Sequence, residues 1–170
     1  MPNIRDWSVR FLALALVAGT CFAQNPEPPK FYKLDFVLKE VEAARVLNAR
    51  SYSITVSTDT SSPHSSIRTG SKVPTPTGST GQFTFIDVGV NIDCGPVKAE
   101  QNELSLAVTA EVSSILQEST TPPAAHPVIR QNKWTSSVVV PIKKPTVIFS
   151  SDDTTTKRQM QLELTATPIR

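Results

Sequence analysis

The stretch ELSLAVTAEVSSI, residues 103–115, decides the fold. Leu104, Leu106, Val108, Ala110 and Val112 alternate there with Ser105, Thr109, Glu111 and Ser113. Successive side chains of a strand point to opposite faces, so this period of two buries one face and wets the other. Moving outward from it, the same alternation recurs. Residues 32–38 set Tyr32, Leu34, Phe36 and Leu38 against Lys33, Asp35 and Lys39, and residues 50–58 turn Tyr52, Ile54 and Val56 inward. Near the C-terminus, residues 146–149 and 158–167 read as a hairpin. Met160, Leu162, Leu164 and Ala166 share one face of it, and the connection, residues 150–157 (SSDDTTTK), is wholly polar. Residues 128–142 form a long strand around Trp134, Val138 and Val140, which Pro141 confines to an edge or a bend.

Other stretches are less regular. Residues 39–48 (KEVEAARVLN) admit two readings. Val37, Val41, Ala44 and Leu47 fall at helical spacing, but both flanks alternate, which favours a hairpin over a helix. Residues 67–73 give a short strand holding Gly70, and 74–81 (PTPTGSTG) read as a mobile loop with no regular element. Along residues 82–94 the inward set shifts from Phe83 and Phe85 to Ile86, Val88, Val90 and Ile92, which predicts a β-bulge, with Gly89 marking a bend or a close backbone approach. Residues 118–127, with Pro122, Pro123 and Pro127, read as a second flexible loop. No internal repeat or coiled-coil heptad is present. The expectation is an all-β fold, a single antiparallel sandwich or open barrel.

The N-terminus stands apart. Arg5 and Arg10 precede an apolar run of twelve, residues 11–22, which ends in Cys21-Phe22-Ala23. A membrane helix needs about 20 residues, so residues 1–23 read as a cleaved signal peptide, 24–30 as a Pro-rich linker and 31–170 as one β domain. Thr20 before Cys21 is bulkier than a lipidation site tolerates. Cleavage at Ala23 leaves Cys94 as the sole cysteine, so the core alone must stabilise the fold. Of 17 Lys and Arg and 15 Asp and Glu, the leader takes Arg5, Arg10 and Asp6, leaving a net charge of +1 with no like-charge block. Nothing there steers the chain toward nucleic acid or an anionic membrane surface.

Catalytic chemistry is sparsely represented. His64 and His126 sit beside prolines in loops, outside any two-histidine metal spacing. Cys94 ends an apolar strand without a basic neighbour to activate it, which makes it a buried structural thiol. No serine occupies a G-x-S-x-G elbow, and Gly78-Ser-Thr-Gly81 lacks the lysine and helix of a phosphate loop. Asp152-Asp153 reads as a solvated hairpin tip rather than a calcium site. The aromatic residues are few and not interleaved with basic ones. The sequence therefore points to no catalytic, cofactor-binding or metal-ligating residue, and to a protein that is not an enzyme.

Three segments in order resemble the core domain of the secretins of type II and III secretion systems. Residues 67–74 (IRTGSKVP) resemble a strand ending in a Gly-x-x-Val-Pro turn. Residues 87–93 (DVGVNID) with Gly95-Pro96-Val97 resemble a Val-Gly-Val strand leading to a Pro-containing turn. Residues 103–114 end in a Glu-Val-Ser pattern. Similarity continues through 127–149 and 161–169, and covers residue 48 to the C-terminus. The motif residues carried by the resemblance are Gly70, Val73, Pro74, Gly89, Pro96 and Glu111, all in structural roles. The departures are equally clear. Two short strands precede this core in place of several periplasmic domains. Phe149-Ser-Ser-Asp-Asp153 stands where the family has Gly-Gly-Leu, and the membrane-inserting stretch is reduced to a polar turn. A membrane-spanning strand needs about 9–11 residues with an apolar outer face. The resemblance thus implies the fold and ring-type edge pairing, without a membrane pore.

Two functional expectations follow. The first is an exported, periplasmic, secreted or outer-membrane-associated secretin-like structural protein. It pairs through strand edges, such as residues 138–141, with itself or with a secretion or pilus component. The alternative is a soluble periplasmic ligand-binding β-sandwich, which requires a concave apolar pocket with a few polar groups. No small-molecule ligand, nucleic acid or membrane span is evident in the sequence.

Overall fold

A computed structural model describes residues 28, 30–59, 61, 64–77, 82–116, 128–153 and 157–169. The signal peptide, most of the linker, His126 and the expected loop at 118–127 lie outside the described residues.

The ambiguous stretch near residue 43 is a hairpin. β1 (Phe31–Glu42) and β2 (Arg45–Ser57) pair antiparallel from Phe31↔Ser57 to Glu42↔Arg45, with a register shift after Glu40. The turn is the dipeptide Ala43-Ala44, and both residues have positive φ, 47° and 65°. A tight two-residue hairpin requires positive φ at its central positions, which is why Asn and Gly usually occupy them. Burial of the flanking apolar faces here overrides the helical leaning of Glu, Ala and Arg.

Six further strands complete the fold: β3 (Ser65–Thr77), β4 (Gln82–Glu100), β5 (Glu103–Leu116), β6 (Val128–Pro141), β7 (Thr146–Asp152) and β8 (Arg158–Ile169). They make two antiparallel four-stranded sheets, β2-β1-β8-β7 and β3-β4-β5-β6. The sheets face each other as a sandwich rather than closing as a barrel.

The core is the alternating set expected from the sequence. Leu34 and Phe36 on β1, Leu164 and Ala166 on β8, Ile92 on β4, Leu104 and Val108 on β5, and Val140 on β6 are wholly buried. Each large member of this set contributes about 1.5–3 kcal/mol by leaving water. At one end the sandwich is sealed by backbone bonds. Ile142 N–H donates to the Asn102 carbonyl at 2.9 Å, and Lys143 N–H donates to that of Ala166 at 2.8 Å. Nearer the other end, the Trp134 ring of β6 meets the Phe149 ring of β7 at a centroid distance of 5.5 Å, joining the two sheets.

Several sequence expectations are corrected. Residues 74–77 are not loop: β3 runs to Thr77, paired with Gln82, and includes Pro74 and Pro76. β3 is an edge strand, and the two prolines occupy alternate positions in an unbroken ladder, so their nitrogens lie on the open side, where no partner needs an N–H. Phe83 and Phe85 do not point into a core. They are 59% and 61% exposed, because the unbroken ladder puts them on the same face as Asn91 and Asp93, opposite the buried Val90, Ile92 and Cys94. No bulge accompanies that phase change. The irregularity in β4 lies instead between Cys94 and Val97, so Gly95-Pro96 is a bulge within one long strand and not a turn after it. The polar connection after Phe149 is shorter than read, since β7 extends to Asp152.

Candidate functional site

The unsealed end of the sandwich is built around a fork in the second sheet. β4 and β5 stay paired as far as Val90↔Val112 and then part. Beyond that point β4 pairs only with β3, through Thr77↔Gln82, and β5 pairs only with β6, through Leu116↔Val128. Each pair becomes a two-stranded arm. Phe83, Phe85 and Ile86 are exposed on one arm, and Ile115, Leu116 and Val128 on the other. An isolated two-stranded ribbon is marginal in water, and clustered exposed apolar residues commonly mark an interaction surface.

Three residues shape the fork. Gly70 and Gly89 face each other across β3 and β4. A Cβ on Gly89 would fall within contact distance of the Thr69 carbonyl oxygen, and one on Gly70 would meet the Val88 carbonyl oxygen. Only glycine permits that approach. Ser113, assigned by period two to the wet face, is instead buried against this pair. Its Oγ accepts the Gly89 N–H at 2.9 Å.

The other motif residues do not converge with these. Val73 and Pro74 lie out along the first arm, paired with Ile86 and Phe85. Pro96 sits in the β4 bulge toward the sealed end, and Glu111 lies on β5, its carboxylate 3.9 Å from Lys133 Nζ. The motif marks a framework spread along three strands and not a single site.

Between the sheets, below the fork, lies a cleft of about 520 Å³. Leu38, Val90, Val112 and Met160 give it an apolar floor. Arg130 of β6 and Asp153, just past β7, form an ion pair from one sheet to the other at its mouth. Arg158 bonds Glu40 at 2.9 Å, and the hydrogen bond and charge of Glu40 push the Arg158 guanidinium still higher above its ordinary pKa. Asp153 is thus an ion-paired residue rather than a free solvated tip.

The inner face of the first sheet changes character here. Leu38 lies opposite Arg50 and Glu40 opposite Asn48, so Arg50 and Asn48 share the side that is apolar farther along. The inward parity of Tyr52, Ile54 and Val56 already reaches Arg50 and Asn48; sequence reading missed them because a polar residue on a core-facing side carries no signal until the facing sheet is known.

The remaining candidates for chemistry are separate from the cleft. Cys94 is 1% exposed, and burial, with the nearby Asp93 carboxylate adding to it, pushes its thiol up to about 12. His64 is exposed outside any strand. Among the described residues no three His, Cys, Asp or Glu side chains gather as a metal site.

The fold is thus a β-sandwich with open edges and two arms in which each strand has a single neighbour. Solved structures agree in architecture with the secretins. ExeD of Aeromonas hydrophila matches with a TM-score of 0.53 at 11% identity, over 84% of this chain and 47% of its own. The type II secretion system secretin XcpQ of Pseudomonas aeruginosa gives 0.53 at 12%, over 84% and 58%. The type III injectisome secretin InvG of Salmonella gives 0.51 at 7%, over 84% and 64%. This chain therefore has the secretin-domain fold that the sequence motifs indicated, and it spans from about half to under two thirds of those secretin chains. No family model matches the sequence, and no curated protein matches it.

Proposed function

We propose that this chain is an exported, non-enzymatic structural protein of a secretion or pilus system. In this reading it assembles by strand-edge pairing with copies of itself or with another component of that system, and it does not itself line a membrane pore. The observation that carries the reading is the fork after Val90↔Val112, which leaves two arms with exposed Phe83, Phe85, Ile115 and Leu116 and no packing partner of their own among the described residues. Added strands supply hydrogen bonds to open edges and cover such apolar side chains. The secretin fold supports the association with protein secretion, and InvG, one of the structures sharing it, forms a basal body with PrgH and PrgK. The polar run from Ser150 to Gln159 supports the absence of a lipid-facing hairpin, because only Met160 and Phe149 at its borders are apolar. The inaccessible, neutral Cys94 thiol supports a role outside catalysis.

Light scattering over a range of protein concentrations, with crosslinking, tests the proposal. Oligomers growing with concentration, or co-purification with secretion or pilus components, are expected. A strictly monomeric protein that captures no such component would refute it.

A further inference from the structure

We infer that the cleft below the fork is a binding site for a small amphipathic carboxylate, a molecule with one carboxylate head and a short apolar body. Its volume, about 520 Å³, lies within the range of small-molecule pockets, which are mostly apolar with a few convergent polar groups. The floor supplies the apolar surface through Leu38, Val90, Val112 and Met160. A second, smaller void under Trp134 and Phe149 adjoins it and shares Leu38, Val112, Asn132 and Met160 with its lining.

The polar groups divide into two kinds. Most charged groups are already engaged: Arg130 with Asp153, Arg158 with Glu40, Lys39 with Glu163, while the Asp152 carboxylate accepts from the Gln159 amide at 2.9 Å. Arg50 and Asn48 from one sheet and Asn132 from the other also line the cleft, and among the described residues their side chains have no hydrogen-bond or ion-pair partner. Arg50 and Asn132 each sit directly across a ladder from a floor residue, Leu38 and Val112 respectively, so cation and amide border the apolar surface. A guanidinium is a fixed fork of donors that matches a carboxylate, and the two amides supply further donors. A cationic or neutral ligand of the same length would place its head beside Arg50 with nothing to neutralise it. This inference is independent of the assembly proposed above.

Isothermal titration of the full chain with octanoate tests it, with octylammonium and octanol as matched probes. Saturable binding of one octanoate per chain is expected, weakened at least about tenfold in Arg50→Gln and unchanged in Lys143→Gln, a surface cation outside the cleft. Arg50 is exposed, so its replacement leaves the fold intact. A circular-dichroism melt matching the parent verifies this, and Asn132→Leu provides a second variant that should weaken octanoate binding while sparing octanol. Octanol or octylammonium binding as tightly as octanoate, unaltered binding in both cleft variants, or no saturable heat up to about 1 mM ligand would each overturn the inference.

Discussion

Ser113 and Gly89 are joined across the fork by a side-chain bond where the backbone ladder stops. The Ser113 Oγ receives the Gly89 N–H at 2.9 Å and lies 3.5 Å from the Gly89 carbonyl oxygen. The hydroxyl thereby takes over both groups that the next rung of β4 and β5 would have satisfied. Ser113→Ala leaves that N–H without its partner and should cost about 1–3 kcal/mol. Thermal denaturation measures it, and an unchanged midpoint would show that the hydroxyl does not hold the fork.

The Ala43-Ala44 turn holds two L-residues at positive φ. The double substitution Ala43→Asn with Ala44→Gly supplies the Asn-Gly pair that such turns favour. It should stabilise the protein by about 1 kcal/mol, since each left-handed L-residue costs on that order. Urea denaturation should show a higher midpoint with an unchanged slope.

Cys94 predicts an alkaline limit to stability. Burial, with the Asp93 charge adding to it, pushes the folded thiol up to about 12 from an ordinary 9.0. Below the ordinary value both folded and unfolded chains keep the proton, and the group favours neither. Between the two values only the unfolded chain ionises, so stability falls with rising pH across that window. Cys94→Ala should remove this slope, at the expense of a smaller packed core. In the native protein the thiol should react with a thiol reagent only at the rate of unfolding.

The arms and the core should separate cleanly under mutation. Leu104→Ala, at a wholly buried site, should cost about 2–5 kcal/mol. Phe83→Ser and Phe85→Ser, at exposed sites, should leave the monomer within about 0.5 kcal/mol of the parent. If the arms make the assembly contact, the same two variants should shift the oligomer to higher concentration in light scattering.

What the sequence disclosed and what it hid follow from the reach of each signal. Leu104 to Ala110 and Leu162 to Ala166 announced their burial, because period two is local and one apolar face suffices to read it. Pro74 and Pro76 misled, because a proline is tolerated or forbidden according to whether its strand has one neighbour or two, which depends on the whole sheet. Phe83 and Phe85 misled for a related reason. Their alternation is genuine, but no bulge separates it from Val90 and Ile92, so the unbroken register with β3 keeps them on the opposite, outer face. The cleft was hidden more deeply still. Arg50 and Asn132 become neighbours of one space only through two registers and the separation of two sheets.

The prolines of β3 carry one more consequence. At positions 74 and 76 the outer rim of this arm presents carbonyl oxygens but no amide hydrogens, so an arriving strand finds acceptors there and no donors. β6, at the opposite border of the same sheet, keeps its amides up to Pro141. The two borders of this sheet are therefore unequal as acceptors of a further strand, β6 offering a full set of backbone groups and the β3 arm only half of one.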